Sequence, residues 1–111
     1  MDDFVIRRWD LAYARGDQAP PHIHHASTEA FCVLRGRLEV LVGDERQTIG
    51  PGEYVLIPAG TRHTFATVEP PGVELLAVMS PEVDSLVQAL HGSDGGDDRL
   101  ELWQQHRSSI A

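Results

Sequence analysis

Short strand-like runs, separated by turn residues, follow one another through most of this chain. The runs are rich in apolar and β-branched residues, and segments of glycine, proline and aspartate separate them. They lie at Phe4–Trp9, Glu29–Leu34, Leu38–Val42, Tyr54–Ile57, Arg62–Val68 and Val73–Met79. Many short strands at this spacing, with no long helix between them, are typical of an antiparallel sandwich or barrel. We therefore expect an all-β fold, with Gly43 and Asp44 at the tip of a tight hairpin.

The pattern changes at Ser80, where helical periodicity replaces the succession of strands. Ser80 followed by proline is typical of a helix start, and acidic residues suit the first turn. Apolar residues then recur three and four positions apart until Gly92. A flexible joint is expected at residues 93–96, followed by a second short helix that begins at Asp97 or Asp98.

The chain length indicates one domain. A chain of 111 residues is near the commonest domain size and is long enough to enclose a single core. We expect residues 1–80 to form the β domain and residues 81–111 to form a helical extension packed on the same domain. An amphipathic helix of this kind buries its apolar face against the rest of the protein.

Charge and composition exclude several classes of partner. The formal net charge is −8, lysine is absent and the arginines are scattered, so we expect no binding to nucleic acid. No apolar run approaches the roughly 20 residues that a membrane-spanning helix needs, so we expect no membrane partner. The N-terminus lacks the apolar core of a signal peptide, and the only cysteine, Cys32, suits a reducing compartment. We therefore expect a cytoplasmic protein.

Histidines are concentrated in a turn-like part of the sequence. Half of the six histidines, His22, His24 and His25, lie within four positions beside two prolines. In an extended segment His22 and His24 point to one face and His25 to the other. Glu29 and His63 lie near the starts of two further strands, with apolar residues following on the same face. Each alone is an ordinary surface group, but inside a barrel the set is costly to bury unless a divalent metal binds it.

The spacing of these residues resembles that of the cupin superfamily. The segment Gly16-x5-His22-x-His24-x4-Glu29-x6-Gly36 matches the first cupin motif at every position. The segment Gly52-x5-Pro58-x-Gly60-x2-His63 matches the second motif, but Thr67 stands where the family usually has asparagine. The resemblance covers about residues 5 to 80, and the sequence around the first motif is most similar to small single-domain cupins of the quercetin-dioxygenase type.

The resemblance implies a cupin double-stranded β-helix, which is a jelly-roll barrel with an open end, followed here by a short helical tail. It also implies one divalent metal ion bound by His22, His24, Glu29 and His63. Iron, manganese, nickel, copper and zinc all suit three imidazoles and one carboxylate. Four ligands on an octahedral ion leave two positions for water, dioxygen or a chelating substrate. Glu29 is also a candidate catalytic base if it leaves the metal.

The candidate pocket consists of residues that follow the ligands on their strands or lie close to them in turns. These residues are His25, Phe31, Val33, Tyr54, Arg62, Phe65 and Thr67. For the apolar members the alternative is a role in the core alone, and for His25 it is exposure to solvent or to a neighbouring subunit. Trp9 and Trp103 are expected to be packing residues, and His91 and His106 to have no role at the metal.

The leading functional hypothesis is a small metal-dependent enzyme that acts on an enol, a phenol, a dicarbonyl or a keto acid. Dioxygenation is favoured, and isomerisation, cyclisation and decarboxylation are the alternatives that the family implies. A different class of function is a cupin that binds a small ligand without catalysis, or one whose metal only stabilises the barrel. Because small cupins commonly pair, we also expect a homodimer formed through residues 4 to 9 or through exposed apolar strands.

Overall fold

Two antiparallel β-sheets face each other and enclose the core. The computed structural model describes residues 3–92 and 98–111. The first sheet has the strand order β1–β8–β3–β6, and the second sheet has the order β5–β4–β7–β2–β9. The strands are β1 Val5–Ala12, β2 His22–His24, β3 Glu29–Arg35, β4 Leu38–Val42, β5 Glu45–Ile49, β6 Tyr54–Ile57, β7 His63–Thr67, β8 Gly72–Met79 and β9 Ser108–Ile110. This architecture confirms the expected all-β fold.

Alternating burial along the central strands brings the two sheets together. In β8 every second residue is buried, and in β3 the same alternation places Phe31 and Val33 in the core. Phe31 of the first sheet and Phe65 of the second sheet meet edge to face, with ring centroids 5.3 Å apart. The core is therefore built from the inner faces of both sheets, as in a sandwich or a jelly roll.

Most strands lie where the apolar pattern predicts them. β4 and β6 begin and end at the predicted residues. The hairpin of β4 and β5 turns at Gly43 and Asp44, as predicted, since Val42 pairs with Glu45. β5 itself was not predicted, because it is an edge strand whose exposed residues are polar and give no apolar signal.

Two helices follow the last strand of the first sheet, as expected. The first, α1, spans Pro81–His91, and Ser80 caps it by accepting a hydrogen bond from the backbone N–H of Val83 at 3.1 Å. The second, α2, spans Asp98–Gln105, while the joint predicted at residues 93–96 lies outside the described residues. In the described part of the chain, neither helix is long and apolar enough to cross a membrane.

The C-terminal extension ends in a strand, which the helical pattern did not predict. β9 pairs antiparallel with β2 and extends the second sheet at its edge. Three residues with two serines among them are too short and too polar to give a strand signal in the sequence. The strand is nevertheless placed directly beside two of the predicted metal ligands.

Two glycines allow the chain to pass very close to itself at the end of the barrel. Gly36 and Gly72 have φ angles of 84° and 125°, which disfavour other residues. A Cβ atom at Gly36 would overlap the carbonyl oxygen of Gly72, and one at Gly72 would overlap that of Leu11. The last glycine of the first motif is therefore required both by its backbone angle and by the lack of space.

Candidate metal centre

The four predicted ligands converge between the two sheets. His22 and His24 lie on β2, Glu29 is the first residue of β3, and His63 is the first residue of β7. β2 and β7 are neighbours in the second sheet, whereas β3 belongs to the first, so the carboxylate faces the imidazoles across the barrel. All four residues are buried, with at most 5% of their surface exposed.

The ligand atoms are close enough to bind one ion. Nε2 of His24 and Nε2 of His63 lie 2.9 and 3.1 Å from the same oxygen, Oε1 of Glu29. One ligand atom from each of the four residues, His22 included, lies within 4.8 Å of the others. Bonds from first-row metals to nitrogen or oxygen are about 2.0–2.2 Å long, so ligands of one ion lie about 3–4 Å apart. The observed separations match that range closely enough for small adjustments to complete the site.

Backbone carbonyls fix the orientation of two of the imidazole rings. Nδ1 of His22 lies 2.8 Å from the carbonyl oxygen of Pro20, and Nδ1 of His63 lies 2.9 Å from that of Thr61. A carbonyl only accepts, so Nδ1 is the protonated nitrogen in both rings. In the neutral rings Nε2 therefore carries a free lone pair, directed at the centre of the cluster.

A serine orients the third ring in the same way. Nδ1 of His24 lies 2.7 Å from Oγ of Ser108, and that hydroxyl donates its proton to the carbonyl oxygen of His106 at 3.1 Å. Because a hydroxyl has a single proton to donate, Ser108 accepts the Nδ1–H of His24. Hydrogen bonds of this kind set the tautomer and the orientation of metal-bound histidines.

The charges of the cluster fit a divalent metal ion. Burial, together with the nearby charge of His63, lowers the pKa of His22 to about 4, so this ring is neutral at neutral pH. Burial alone raises the pKa of Glu29, but hydrogen bonds and charge from His24 and His63 outweigh it and lower the pKa to about 2. The positive charge opposite this carboxylate must come either from extra protons on Nε2 of His24 and Nε2 of His63 or from a metal ion. Three nitrogen donors and one carboxylate suit iron, manganese, nickel, copper or zinc.

A cavity of about 530 Å³ adjoins the cluster. His22, His24 and Glu29 lie in its wall, together with Phe31 and Phe65, two of the predicted pocket residues. The remaining wall comes from β1, from the segment before β2, from both helices and from β9. Its residues are Arg8, Trp9, Asp10, Leu11, Gln18, Ala19, Pro20, Leu86, Val87, Leu90, His91, Trp103 and Ile110. The cavity therefore lies between the barrel and the C-terminal extension.

Three of the other predicted pocket residues have different surroundings. Val33 is fully buried in the hydrophobic core. Thr67 is buried, and its hydroxyl forms two hydrogen bonds with the backbone of Ala14. It accepts one from the N–H of Ala14 at 3.0 Å and donates one to the carbonyl oxygen of Ala14 at 3.2 Å. His25 is exposed, and its Nε2 lies 2.8 Å from Oγ of Ser109. None of the three lies in the described wall of the cavity.

The last two predicted pocket residues, Tyr54 and Arg62, face the outside of the protein. Tyr54 is 68% exposed on β6 at the edge of the first sheet. Arg62 is exposed in the turn before β7, where its carbonyl oxygen accepts a hydrogen bond from the N–H of Gly43 at 2.8 Å. Neither lies in the described wall of the cavity.

Sequence reasoning missed two residues that contact the ligands. Trp103 is buried, and its ring centroid lies 4.9 Å from that of His22 and 6.2 Å from that of His24. Ser108 bonds His24, as described above. The sequence predicts Trp103 only as a packing residue, and Ser108 gives no signal at all, because its role depends on the pairing of β9 with β2.

Comparison with known proteins places the barrel in a family. The model of the cupin domain matches residues 9–79. Quercetin 2,3-dioxygenase of Bacillus subtilis (strain 168) is 40% identical over 55 residues, which are 50% of this chain and 16% of that protein. Germin-like protein subfamily T member 3 of Arabidopsis thaliana is 33% identical over 98 residues, which are 82% of this chain and 42% of that protein. The chain thus spans less than half the length of either of these curated relatives.

Solved structures share the same fold. The polyketide cyclase RemF from Streptomyces resistomycificus is 30% identical with a TM-score of 0.60, covering 71% of this chain and 55% of that one. The sugar phosphate isomerase SPO2919 of the cupin superfamily from Silicibacter pomeroyi is 21% identical with a TM-score of 0.62, covering 72% and 52%. Because the cupin domain model covers more than half of the chain and the barrel agrees with these structures, the protein belongs to the cupin family.

Proposed function

We propose that this cupin is a metal-dependent enzyme that acts on a small enol, phenol, dicarbonyl or keto acid, and that dioxygenation is its reaction. The observation that supports this most strongly is that three of the ligands lie in the wall of a cavity of about 530 Å³. A cavity of this size accommodates a small organic molecule. A metal that only stabilised the barrel would not need a cavity beside its ligands.

His22, His24, Glu29 and His63 would hold the ion. When bound, a divalent metal supplies Lewis-acid polarisation of substrate oxygens and, if it is iron, manganese, nickel or copper, a place where dioxygen and substrate meet. The chain itself keeps the three Nε2 lone pairs directed inward and leaves at most 5% of the surface of each ligand residue exposed. Its aromatic wall then orients the substrate against the cluster.

The wall of the cavity favours an aromatic or otherwise planar apolar substrate. Trp9 stacks on Phe65 with ring centroids 6.1 Å apart, and Trp9 also contacts Phe31 at 5.9 Å. Apart from the ligands, the basic side chains in the described wall are Arg8, whose guanidinium forms an ion pair with Glu74, and His91. A phosphate group is bound most strongly by a guanidinium or ammonium group that has no other partner. For this reason we favour uncharged or singly ionised substrates over sugar phosphates. The favoured substrates lose a proton when they bind.

Glu29 is the proposed acceptor of the proton that the substrate loses. Without metal, hydrogen bonds and charge from His24 and His63 lower its pKa to about 2. With an ion bound, coordination would likewise keep the carboxylate ionised and make it a weak base. Proton transfer therefore requires Glu29 to turn away from His24 and His63 toward the cavity, whose wall it already shares. In that position it is less stabilised and more basic.

A cyclase, isomerase or decarboxylase is the second candidate. It is supported by the 30% identity to the polyketide cyclase RemF, because an enolate stabilised at a metal serves such reactions as well as oxygenation does. The third candidate is a cupin that binds its ligand without turnover, for which the same cavity would suffice.

Oxygen consumption separates these candidates. The protein, stripped of metal and reloaded in turn with iron, manganese, nickel, copper or zinc, is assayed with a flavonol and with a 1,3-diketone, in air and anaerobically. A dioxygenase consumes one dioxygen per product and is inactive without it, whereas a cyclase or isomerase is equally active under both conditions. Tight binding of the compounds without product under any condition would reject catalysis and favour a cupin that binds its ligand without turnover. His63→Ala serves as the control that lacks a ligand.

A further inference from the structure

The strand that supports the ligands lies outside the part of the chain that matches the family. The cupin domain model ends at residue 79, whereas β9 begins at Ser108. β9 pairs with β2 at three positions, and two of its residues lie opposite ligands, Ser108 opposite His24 and Ile110 opposite His22. On its other side β2 pairs with β7 at one position. The strand that holds two ligands is therefore held mainly by the C-terminal segment.

Backbone hydrogen bonds at both ends of β2 strengthen this attachment. The N–H of His25 donates to the carbonyl oxygen of Arg107 at 2.8 Å, and the N–H of Ala111 donates to that of Pro21 at 2.8 Å. The hydrogen bonds between the two segments therefore continue past His22 at one end of β2 and past His24 at the other. A shift of β9 along β2 would change which side chains face each other.

The support of His24 differs in kind from that of the other two rings. His22 and His63 each donate to the backbone carbonyl of the residue two positions earlier in the chain. His24 donates instead to a side chain from a distant segment, Ser108, and both residues are buried, with 4% and 3% of their surfaces exposed. A backbone carbonyl cannot be removed by substitution, whereas a serine hydroxyl can.

We infer that Ser108 is a positioning residue for the metal, which it serves by holding His24 with Nδ1 protonated and Nε2 directed at Glu29. This inference rests on the proposed function, since it assumes that the cluster binds a metal. Ser108 does not contact the ion; it fixes the ring that does. Hydrogen bonds of this kind to metal-bound histidines typically change metal affinity about 10- to 100-fold when they are removed.

The chain offers a closely matched control. Ser109 is the next residue of β9, and its hydroxyl lies 2.8 Å from Nε2 of His25, the exposed neighbour of His24. Ser109→Ala therefore removes the same kind of hydrogen bond between β9 and the residue that follows β2, without affecting a ligand. Ser108→Thr keeps the hydroxyl and serves as the conservative variant.

The test measures Zn²⁺ affinity and the Nδ1–H protons of the histidines in the wild type, Ser108→Ala, Ser109→Ala and Ser108→Thr. Affinity is measured by competition with a chelator, and the Nδ1–H resonances by NMR of the Zn²⁺-loaded proteins. We expect Ser108→Ala to bind Zn²⁺ about 10- to 100-fold more weakly and to lose protection from exchange at His24 alone. The Nδ1–H protons of His22 and His63 stay protected from exchange in this variant. Ser109→Ala and Ser108→Thr resemble the wild type in both measurements.

Two results would contradict these expectations in different ways. If Ser108→Ala keeps wild-type affinity and a protected Nδ1–H at His24, Ser108 is not a positioning residue, while metal binding stands. If the wild type binds neither Zn²⁺ nor any other of the five metals, the proposed function fails, and the role of Ser108 in metal binding fails with it. Circular dichroism of each variant shows that the barrel is folded.

Discussion

His22 lies directly opposite His63 where β2 pairs with β7, and their ring centroids are 4.2 Å apart. Directly opposed residues of an antiparallel pair have their side chains on the same face, so one ligand from each motif reaches the cluster as cross-strand neighbours. Glu29 then approaches from the facing sheet. The site therefore depends on the register of one strand pair, and a slip by one residue would turn the ligands of β2 away from the interior.

Removal of His63 should weaken metal binding strongly, whereas removal of His25 should not. His63→Ala leaves three ligands and a buried carboxylate that lacks one of its two partners, so we expect affinity for Zn²⁺ to fall by at least roughly 100-fold. His25→Ala is the control, because this histidine is adjacent to His24 in sequence but is exposed and bonds Ser109. Metal content after dialysis measures the difference. Equal metal content in the two variants would disprove the four-ligand site.

The metal-free protein should become less stable as the pH falls from about 6.5 toward 4. The folded-state pKa of His22 is lowered to about 4 from its ordinary value of 6.5, so in this range the unfolded chain binds a proton that the folded protein does not. This difference favours the unfolded state by about 2 kcal/mol at pH 5 relative to pH 7.5. Protonation of Glu29, whose pKa is lowered to about 2, adds a further loss only below its ordinary value of 4.5.

Urea unfolding in the presence of a chelator at pH 7.5 and at pH 5 measures this dependence. His22→Gln is the comparison, because it lacks the group in question while keeping a polar side chain at that position. We expect the free energy of unfolding of the variant to vary less between the two pH values, by about 2 kcal/mol. Identical pH dependence in both proteins would mean that His22 is not held neutral in the fold.

Two glycines of the first motif should differ in their tolerance of alanine. Gly16 and Gly36 have nearly equal φ angles, 81° and 84°, so alanine meets the same backbone strain at both, about 1–2 kcal/mol. At Gly16 no atom lies within 4 Å of the added Cβ, whereas at Gly36 it overlaps the backbone of Gly72. We therefore expect Gly36→Ala to cost clearly more than Gly16→Ala. Chemical denaturation of both variants tests this, and equal losses would show that the close approach has no energetic consequence.

The outer face of the first sheet carries two neighbouring rows of side chains that are largely apolar. One row of this outer face contains Ile6, Val78, Ala30 and Leu56, and the next contains Arg8, Leu76, Cys32 and Tyr54. Ile6, Tyr54 and Leu56 are each more than half exposed. Neither row contains an acidic residue, and Arg8 of the second row and Arg35 of the row beyond it both form ion pairs with Glu74. Two copies of a chain with a net charge of −8 repel each other least where they present such a face.

We propose that a second copy of this chain covers the outer face and forms a homodimer. Leu56→Arg should weaken the dimer roughly tenfold or more, because it places a charge in an apolar interface. Leu100→Arg is the control, since Leu56 and Leu100 are almost equally exposed, at 58% and 59%, but Leu100 lies on α2. Light scattering at micromolar concentration gives the mass of each protein. A monomeric wild type, or a dimer unaffected by Leu56→Arg, would contradict the proposal.

The elements that follow from local apolar and capping patterns in the sequence could be predicted. The strands that depend on pairing with neighbouring strands could not. Strands with apolar residues, such as β4 and β6, and the helix capped by Ser80 were correctly located. The four ligands could be named because the motif spacing encodes them, and the structure brings their ligand atoms together. β5 and β9 were missed because their stability comes from their neighbours rather than from their own apolar residues.

The candidate pocket was harder to predict than the metal cluster for the same reason. Phe31 and Phe65 line the cavity because they follow ligands on the same faces of their strands. Tyr54 and Arg62 are near the motifs in sequence but face outward. Which residues complete the wall depends on where α1 and α2 pack, and a helical periodicity shows which side of a helix is apolar without showing what that side covers.

The hydrogen bond between His24 and Ser108 has an evolutionary consequence. If Ser108 positions His24 for a metal as proposed, mutations in a segment that follows the barrel change how firmly the ion is held while all four ligands stay in place. Two cupins with the same ligand set can therefore diverge in metal occupancy, and in the supply of metal that they require in the cell. Identity at the motifs alone would then say little about how firmly a homologue binds its metal.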